Sequence, residues 1–303
     1  MHNRRIPNTN LAVSPLCLGT MTFGTPLNEA DAVRLVHYAL DCGINFFDTA
    51  NMYEGYARTV GSSGGVAENI LGKALAGRRD MAVIATKLGM KVGPGPEDEG
   101  TSPKAIDKHL NLSLQRMNTD FVDIYYLHKP DPNTPLAETL AYLDKIIRQG
   151  KIRHYGISNF SADQTAKLLA AADRNNLPRP VIHQPPYSLL KRDIEKDLLP
   201  LCQREKLAVV PYQILQGGLL TGKYRRGQNI PENSRKTERA DWLPELNNAL
   251  FNQLEQIEQD ARSLGRTMMQ HAIKSVLDQP AVVSVVIGAK SIRQMEALVS
   301  AME

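Results

Sequence analysis

The feature that most constrains this chain is the alternation of two patterns along almost its whole length. Short apolar runs are separated by stretches, such as Ala32–Leu40 and Leu136–Ile147, whose apolar residues follow helical spacing. The eight predicted strands are Leu16–Leu18, Asn45–Asp48, Ala82–Thr86, Val122–Leu127, Ile152–Ile157, Val181–His183, Ala208–Pro211 and Val282–Ile287. Because neighbouring parallel strands need a crossover connection, the alternation predicts an α/β fold built on a parallel sheet.

An open doubly wound sheet and a closed (β/α)8 TIM barrel both satisfy this pattern. No G-x-G-x-x-G follows the first predicted strand, as a dinucleotide-binding open sheet would require, and the count of eight strands favours the barrel. Before that strand, Arg4–Ile6 and Leu11–Val13 flank Pro7–Asn10, which predicts an N-terminal β-hairpin that plugs the bottom of the barrel.

The spacing between predicted strands is interrupted once, between the seventh and the eighth. We interpret Gln216–Pro244, which is rich in glycine, arginine and polar residues, as an active-site loop. Glu245–Leu264 is predicted to be an extra helix. No linker or low-complexity tract is visible, so we expect a single barrel domain over residues 1–303.

Capping signals place the starts of several helices. Ser102–Pro103 and Thr134–Pro135 each set a capping residue before a proline at the first helical position. Ser161–Gln164 and Ser291–Gln294 have the spacing of capping boxes.

The composition excludes several classes of protein. Hydrophobic residues make up 42% and charged residues 22% of the chain, as in ordinary globular proteins, and the net charge of +4 is too small for a nucleic-acid-binding surface. No apolar run approaches the ~18 residues of a membrane span, and Met1–Pro7 lacks the apolar core of a signal peptide. Cys17, Cys42 and Cys202 are too widely spaced for a disulfide framework or a metal site. We therefore expect a cytoplasmic protein without metal, and the oligomeric state stays open.

Four ionisable residues lie where three adjacent strands end or just beyond. Asp48 ends the second strand, Tyr53 follows it, and Lys87 and His128 end the third and fourth. Catalytic groups of such barrels sit at the carboxyl ends of the strands, so these four side chains can converge. Lys87, balanced by Asp48, would lower the pKa of Tyr53, and His128 would donate a hydrogen bond to a substrate oxygen. This set could protonate the oxygen of a carbonyl group while hydride is added to the carbonyl carbon. Because no protein side chain donates hydride, the reaction would require a nicotinamide cofactor.

Several segments resemble the aldo-keto reductase superfamily, over essentially the full length of the chain. The matching segments are Gly43–Tyr53, Thr86–Lys87, Leu127–His128, Gly156–Phe160 and Gly218–Tyr224. The run Leu127–Pro132 is more similar to the bacterial and potassium-channel β-subunit branches than to the mammalian aldose reductases. The resemblance implies that Tyr53 donates the proton, that Lys87 and Asp48 tune it, and that His128 orients the substrate.

The resemblance also implies a nicotinamide dinucleotide, with NADPH as the expected cofactor and NADH as a possible one. The expected cofactor contacts are Thr20, Met21, Asp48, Ser158, Asn159, Gln184, Tyr212, Gln213, Leu215, Gly217, Gly218, Lys223, Ala289, Lys290, Ser291 and Gln294. The nicotinamide would lie against Ser158, Asn159, Gln184 and Tyr212. The residues expected to line the pyrophosphate are Gln213, Leu215, Gly217, Gly218 and Lys223. Lys290 and Ser291 open the last helix, whose N-terminus suits the 2′-phosphate.

The chain departs from the family pattern at several of these positions. Gln213 stands where serine is common, Gln294 where strongly NADPH-selective members carry arginine, and Ala297–Leu298 where Glu-Asn is common. The change at Ala297–Leu298 removes adenine contacts that the family pattern would supply, and Gln294 predicts a weaker preference for NADPH. His183 replaces a frequent asparagine and is either structural or at the cofactor rim. The loop Gly55–Gly65 is either part of the substrate pocket or a plain surface loop.

Three functions remain open at this point. The leading hypothesis is an NADPH-dependent reductase of a small aldehyde or ketone, such as a sugar-type carbonyl, because the pocket loops are polar and aromatic residues make up 6% of the chain. The second is a cofactor-binding regulatory subunit on the same barrel. The third is an aldolase that forms a Schiff base on Lys87, although a lysine paired with an aspartate is a poor nucleophile.

Overall fold

A computed structural model describes residues 1–302 of the chain and begins with the predicted hairpin. Strands β1 (Arg4–Arg5) and β2 (Ala12–Val13) pair antiparallel, with Arg4 opposite Val13. The Ile6 N–H closes the hairpin by donating to the Leu11 carbonyl over 3.0 Å. The predicted plug is therefore present.

Eight further strands run parallel to one another and form the barrel. They are β3 (Leu16–Gly19), β4 (Phe46–Asp48), β5 (Val83–Leu88), β6 (Val122–Leu127), β7 (Ile152–Ser158), β8 (Ile182–Gln184), β9 (Ala208–Val209) and β10 (Val285–Ile287). The order is β10-β3-β4-β5-β6-β7-β8-β9, and a parallel bridge between Val209 and Val282 closes the circle. The predicted TIM barrel is confirmed.

Several strand limits differ from the sequence prediction by one residue, and three strands differ by more. β5 runs on to Leu88, so Lys87 lies inside the strand. β9 stops at Val209, ahead of Pro211, whose ring nitrogen has no hydrogen to give to a ladder. β10 begins at Val285, because the residues before it make only the single bridge at Val282.

Helices surround the barrel and connect its strands. They are α1 (Glu29–Asp41), α2 (Val66–Ala74), α3 (Pro103–Met117), α4 (Leu136–Arg148), α5 (Ala162–Arg174), α6 (Leu198–Arg204), α7 (Arg235–Glu238), α8 (Asn248–Ser263), α9 (Met268–Leu277) and α10 (Ile292–Ser300). The predicted extra helix is α8, which starts three residues later than expected because the Asn247 side chain caps it by accepting from the Leu250 N–H.

The segment Gln216–Pro244, predicted to be a loop, contains regular structure. A 3₁₀ segment covers Gln216–Thr221, α7 follows, and another 3₁₀ turn covers Ala240–Trp242.

Two of the four capping predictions are confirmed. The Ser102 hydroxyl accepts from the Ala105 N–H, and Ser161 forms a complete capping box with Gln164.

The other two capping predictions are wrong in part. Pro135 is itself the residue before α4, and the Thr134 hydroxyl donates to Asp131 instead of capping the helix. Ser291 caps α10, but the Gln294 side chain accepts from the Lys290 N–H and not from that of Ser291, so the box is incomplete.

The lower barrel interior is apolar and is shared with the hairpin. Its buried residues are Ile6, Leu11, Val13, Cys17, Phe46, Val83, Ala85, Ile124, Tyr126, Ile182, Ala208, Val210 and Val283. The hairpin thus seals the amino ends of the strands, and the polar side chains lie at the carboxyl ends. Within residues 1–302, no helix is long and apolar enough to cross a membrane.

Candidate active site

Lys87 and Asp48 form a buried ion pair at the carboxyl ends of β5 and β4. The Lys87 ammonium donates to Asp48 Oδ1 over 2.5 Å, and the two side chains are 0% and 2% exposed. The same ammonium donates to the Thr49 carbonyl over 2.9 Å and to the Tyr53 hydroxyl over 3.4 Å. Each of the three hydrogens of the Lys87 ammonium therefore has an acceptor, so this buried cation has no unsatisfied donor.

Gln184, at the end of β8, holds the other side of the Asp48 carboxylate. Its side-chain N–H donates to Asp48 Oδ2 over 2.8 Å. The sequence analysis assigned Gln184 to the cofactor and did not foresee this contact, because nothing local relates residues 136 positions apart. The contact fixes the carboxylate that in turn holds Lys87.

Tyr53 and His128 are partly exposed beside the buried ion pair, and we call the open region next to them the cleft. Their rings meet edge to face, with centroids 6.2 Å apart and an interplanar angle of 80°. The Lys87 ammonium lies 5.0 Å from the centre of the Tyr53 ring. The structure thus brings together all four ionisable residues selected from the sequence.

The electrostatics of Tyr53 correct one expectation. Burial raises the pKa of its phenol, and although Lys87 lowers it, the net pKa is raised. The predicted depression of this pKa is therefore wrong for this structure, because desolvation of the phenolate outweighs the attraction of an ammonium that Asp48 already neutralises.

His128 and Lys87 have opposite protonation states. Burial, together with the positive charges of Lys87 and Lys129, holds the pKa of His128 well below its usual range. A neutral imidazole carries one N–H and can donate it to a substrate oxygen. Burial alone would lower the pKa of Lys87, but Asp48 and Tyr53 raise it, so this lysine is charged.

A chain of polar side chains continues from this group along the cleft. Ser158, on β7, donates to the Gln184 carbonyl over 2.7 Å. The Asn159 amide donates to the His128 carbonyl over 2.9 Å and accepts from the Tyr212 hydroxyl over 2.8 Å. The four residues predicted to contact the nicotinamide are therefore linked by hydrogen bonds into one chain that begins at His128.

His183 lies beneath this chain and does not reach the cleft rim. It is fully buried, and its Nε2 lies 3.2 Å from the Phe160 carbonyl. Burial lowers its pKa to about 4. This placement favours a structural role for His183 over a position at the cofactor rim.

Thr20 and Met21 follow β3 beside the ion pair. The Thr20 N–H and hydroxyl both donate to the Asp48 carbonyl, over 2.9 and 3.1 Å. Leu215 accepts the Gly218 N–H over 2.8 Å, and Gln213 is exposed with a positive φ of 63°. Their contact with a cofactor stays a prediction.

Gly217 and Gly218 form a tight turn that other residues could not adopt without strain. Their φ angles are 62° and 99°, in the region that favours glycine. A Cβ on Gly218 would lie 2.7 Å from the Lys223 ammonium nitrogen, and one on Gly217 would lie 2.7 Å from a methyl of Leu243. The bare backbone beside a lysine suits the approach of a phosphate.

Lys290, predicted to bind a phosphate, is paired with a carboxylate. Its ammonium lies 2.7 Å from both carboxylate oxygens of Glu238 and 2.8 Å from the Asn233 carbonyl. Ala289 is buried beside it, and Ser291 is exposed. The sequence carried no sign of this pair, whose members are 52 positions apart.

The loop after Tyr53 is tied to the segment around α7. The Arg239 guanidinium donates to the Tyr56 carbonyl over 3.0 Å. It also lies 4.2 Å from the centre of the Trp242 ring, which meets the Tyr56 ring edge to face at 5.3 Å. Arg235 lies over both rings, at 5.0 and 5.1 Å. Sequence reasoning missed Arg235, Arg239 and Trp242, although the arginine-rich composition of this segment was visible.

The arrangement restricts what the site can do chemically. Lys87 is charged and hydrogen-bonded on all sides, so attack of its amine on a carbonyl is disfavoured, which argues against the Schiff-base alternative. Among residues 1–302, no group of three or more histidines, cysteines and carboxylates is placed to hold a metal ion. A phenol beside an ammonium and a neutral imidazole are suited to protonating and orienting a carbonyl oxygen.

Comparison with known proteins agrees with this arrangement. Residues 15–303 match the sequence profile of the aldo/keto reductase family. The chain is 36% identical to an uncharacterized oxidoreductase, YrpG, of Bacillus subtilis (97% of this chain, 89% of that protein). It is 34% identical to a probable voltage-gated potassium channel β subunit of Arabidopsis thaliana (98% and 89%) and to the L-glyceraldehyde 3-phosphate reductase of Escherichia coli K12 (100% and 88%).

A solved structure extends the likeness to three dimensions. The glycerol dehydrogenase of Gluconobacter oxydans superposes with a TM-score of 0.82 at 30% identity, over 100% of this chain and 90% of that one. Sequence and fold thus point to the same group of oxidoreductases, and this chain belongs to the aldo/keto reductase family.

Proposed function

We propose that this protein reduces a small aldehyde or ketone with hydride from NADPH, and that Tyr53 is the general acid. The observation that carries the proposal is the contact of one ammonium, Lys87, with both Asp48 and the Tyr53 hydroxyl. Such an ammonium stabilises the phenolate that forms when the proton leaves, so the phenol is a better acid at the moment of transfer than burial alone would allow.

The residues at the other side of the cleft support a nicotinamide dinucleotide. The polar chain of Ser158, Asn159 and Tyr212 offers amide and hydroxyl groups to a carboxamide. The turn at Gly217–Gly218 leaves backbone bare beside Lys223 for a pyrophosphate. When bound, the nicotinamide supplies the hydride, which no protein side chain can supply. Thr20, Met21, Gln213, Leu215, Ala289, Ser291 and Gln294 complete the proposed contacts.

His128 is proposed to orient the carbonyl. Because it is neutral, it donates a hydrogen bond without competing with Tyr53 as an acid. Its ring meets the ring of Tyr53 edge to face, so the two groups lie beside the same part of the site. The carbonyl oxygen is therefore held between a hydrogen-bond donor and a proton donor.

The substrate class is proposed from the cleft and from the relatives together. Relatives are named for L-glyceraldehyde 3-phosphate and for glycerol, which are small and hydroxylated. Small hydroxyaldehydes and hydroxyketones are therefore the first candidates. The three cysteines are free, as expected for a protein of the reducing cytoplasm, where we place the reaction.

Steady-state oxidation of NADPH and NADH tests the proposal. The carbonyl panel should contain glyceraldehyde, its 3-phosphate, dihydroxyacetone and an apolar aldehyde such as benzaldehyde. We expect carbonyl-dependent oxidation that Tyr53→Phe abolishes. If no carbonyl accelerates oxidation although both cofactors bind, the reductase proposal is wrong.

A second candidate function is regulation of a partner by the cofactor-loaded barrel. It is favoured by the relatives named as potassium channel β subunits. Tight cofactor binding without turnover on any carbonyl would support it. The complete set of Asp48, Tyr53, Lys87 and His128 makes it the weaker of the two.

A further inference from the structure

The Lys290–Glu238 pair is the most consequential contact that the proposed function does not use. Lys290 lies between β10 and α10, and Glu238 ends α7. Their side chains are 22% and 23% exposed, and the ammonium reaches both carboxylate oxygens at 2.7 Å. A bidentate, partly buried pair is stronger than an ordinary surface ion pair.

Glu238 lies close to three cations, Lys290, Lys223 and Arg235, and the last two adjoin the turn at Gly217–Gly218. Desolvation and the charges of Lys290 and Arg235 lower the pKa of Lys223, while Glu238 opposes that effect. The Arg235 side chain lies 3.3 Å from the position that a Cβ on Gly217 would occupy. The carboxylate therefore stands inside a positively charged region that otherwise suits a phosphate-rich ligand.

The backbone on each side of Glu238 is held in place. Arg239, the next residue, donates to the Tyr56 carbonyl over 3.0 Å and packs on the Trp242 ring. Arg235, one turn earlier, packs on the Tyr56 ring. These contacts hold the segment that carries Glu238 beside Lys290.

We propose that Glu238 sets the preference of this protein between NADPH and NADH, by occupying the Lys290 ammonium that a 2′-phosphate would bind. This inference rests on the proposed cofactor function. A 2′-phosphate must displace one anion to take its place, so the net gain is smaller than for binding to a free cation. NADH carries no 2′-phosphate, so its affinity does not depend on the Lys290–Glu238 pair. Glu238 therefore narrows the preference for NADPH.

The variant Glu238→Gln tests this inference, because it removes the charge and keeps the size of the side chain. Adenosine 2′,5′-bisphosphate and adenosine 5′-monophosphate differ only in the 2′-phosphate, and they bind without the nicotinamide end. We expect the bisphosphate and NADPH to bind about tenfold more tightly to the variant, and the monophosphate and NADH to change less than about twofold. Isothermal titration calorimetry gives all four affinities.

Two further variants serve as controls. Glu232→Gln removes one negative charge from an exposed residue of the same segment, so it tests whether net charge alone is responsible. We expect it to change no affinity by more than about twofold. Lys290→Gln removes the cation for which both anions compete. In that background, Glu238→Gln should no longer tighten the binding of the bisphosphate.

The outcomes separate this inference from the reductase proposal. Equal tightening of both nucleotides, no tightening of either, or a tightening that survives Lys290→Gln overturns the role of Glu238. So does a failure of the bisphosphate to bind to wild type and variant alike. If the bisphosphate responds as expected but no carbonyl is reduced, the role of Glu238 stands and the reductase proposal fails.

Discussion

The Lys87 ammonium donates to the Tyr53 hydroxyl over 3.4 Å, and the two residues are 34 positions apart in the chain. The same ammonium is neutralised by Asp48, whose carboxylate Gln184 holds from the opposite side. The phenol is therefore next to a cation that is fixed in position but largely balanced in charge. The pKa of the Tyr53 phenol is therefore set by two opposing effects: burial raises it and the Lys87 ammonium lowers it.

Removal of the Tyr53 hydroxyl tests its role as the acid. Tyr53→Phe should lower kcat by about 10²–10⁴-fold, because it deletes the proton donor. Cofactor affinity should stay nearly unchanged, because the ring remains. Tyr142→Phe, which removes a phenol oxygen bonded to Asp107 on the outer helices, is the matched control and should retain full activity. Activity of Tyr53→Phe within a few-fold of wild type would remove Tyr53 from this role.

Replacement of Lys87 tests the tuning of the phenol. Lys87→Met should reduce activity at least as much as Tyr53→Phe. Since Lys87 lowers the pKa of Tyr53, its loss raises that pKa, and the basic limb of the residual rate should move to higher pH. The measurement is the dependence of kcat/KM on pH across the alkaline range. A limb that stays in place or moves to lower pH would contradict the assignment.

The same variant also has a predicted effect on stability. It leaves the Asp48 carboxylate buried without its partner, which typically costs about 3–5 kcal/mol of unfolding free energy. Asp48→Asn combined with Lys87→Met should recover part of this loss, because it removes the unpaired charge. Urea denaturation of the single and double variants gives the comparison.

The phosphate assignment is tested at Lys290. Lys290→Ala should weaken NADPH binding and leave NADH almost unchanged, by fluorescence titration. A charge-assisted contact contributes about 1.5–3 kcal/mol, or roughly ten- to a hundredfold in affinity, and we expect the lower end because Glu238 competes for the ammonium. Lys196→Ala, an exposed lysine on another loop, is the control. Equal weakening of both cofactors would show that this phosphate site is wrong.

The lowered pKa of the buried His183 predicts that the protein loses stability in acid. This pKa is about 4 in the folded protein and about 6.5 when unfolded, so the unfolded chain binds the extra proton between these values. The free energy of unfolding should therefore fall as the pH drops from about 6.5 to about 4, by roughly 3 kcal/mol from this residue. His183→Asn should reduce that slope, and His2→Asn, at an exposed position, should not. An unchanged slope in His183→Asn would contradict the prediction.

Local patterns in the sequence were sufficient to predict the barrel and the grouping of the four residues that we propose as catalytic. Strand and helix periodicities report which side of each element is buried, and parallel strands align their carboxyl ends at one rim. Asp48, Lys87 and His128 could therefore be placed together, because each lies at or just beyond the carboxyl end of one of three consecutive strands. The hairpin plug and the caps at Ser102 and Ser161 depend on neighbouring residues in the chain and were also predictable.

What only the tertiary structure decided are the contacts between distant residues and the balance of opposing forces. The Thr134 hydroxyl binds Asp131 and not the helix it precedes, and Glu238 meets Lys290 because the barrel brings α7 beside the last loop. The direction of the Tyr53 pKa shift likewise depends on how deeply the phenol is buried, which a sequence does not state. The sequence by itself determined which residues stand at the rim of the barrel. The fold decided how their charges are paired and shielded, because electrostatic energies depend on distance and solvent exposure in three dimensions.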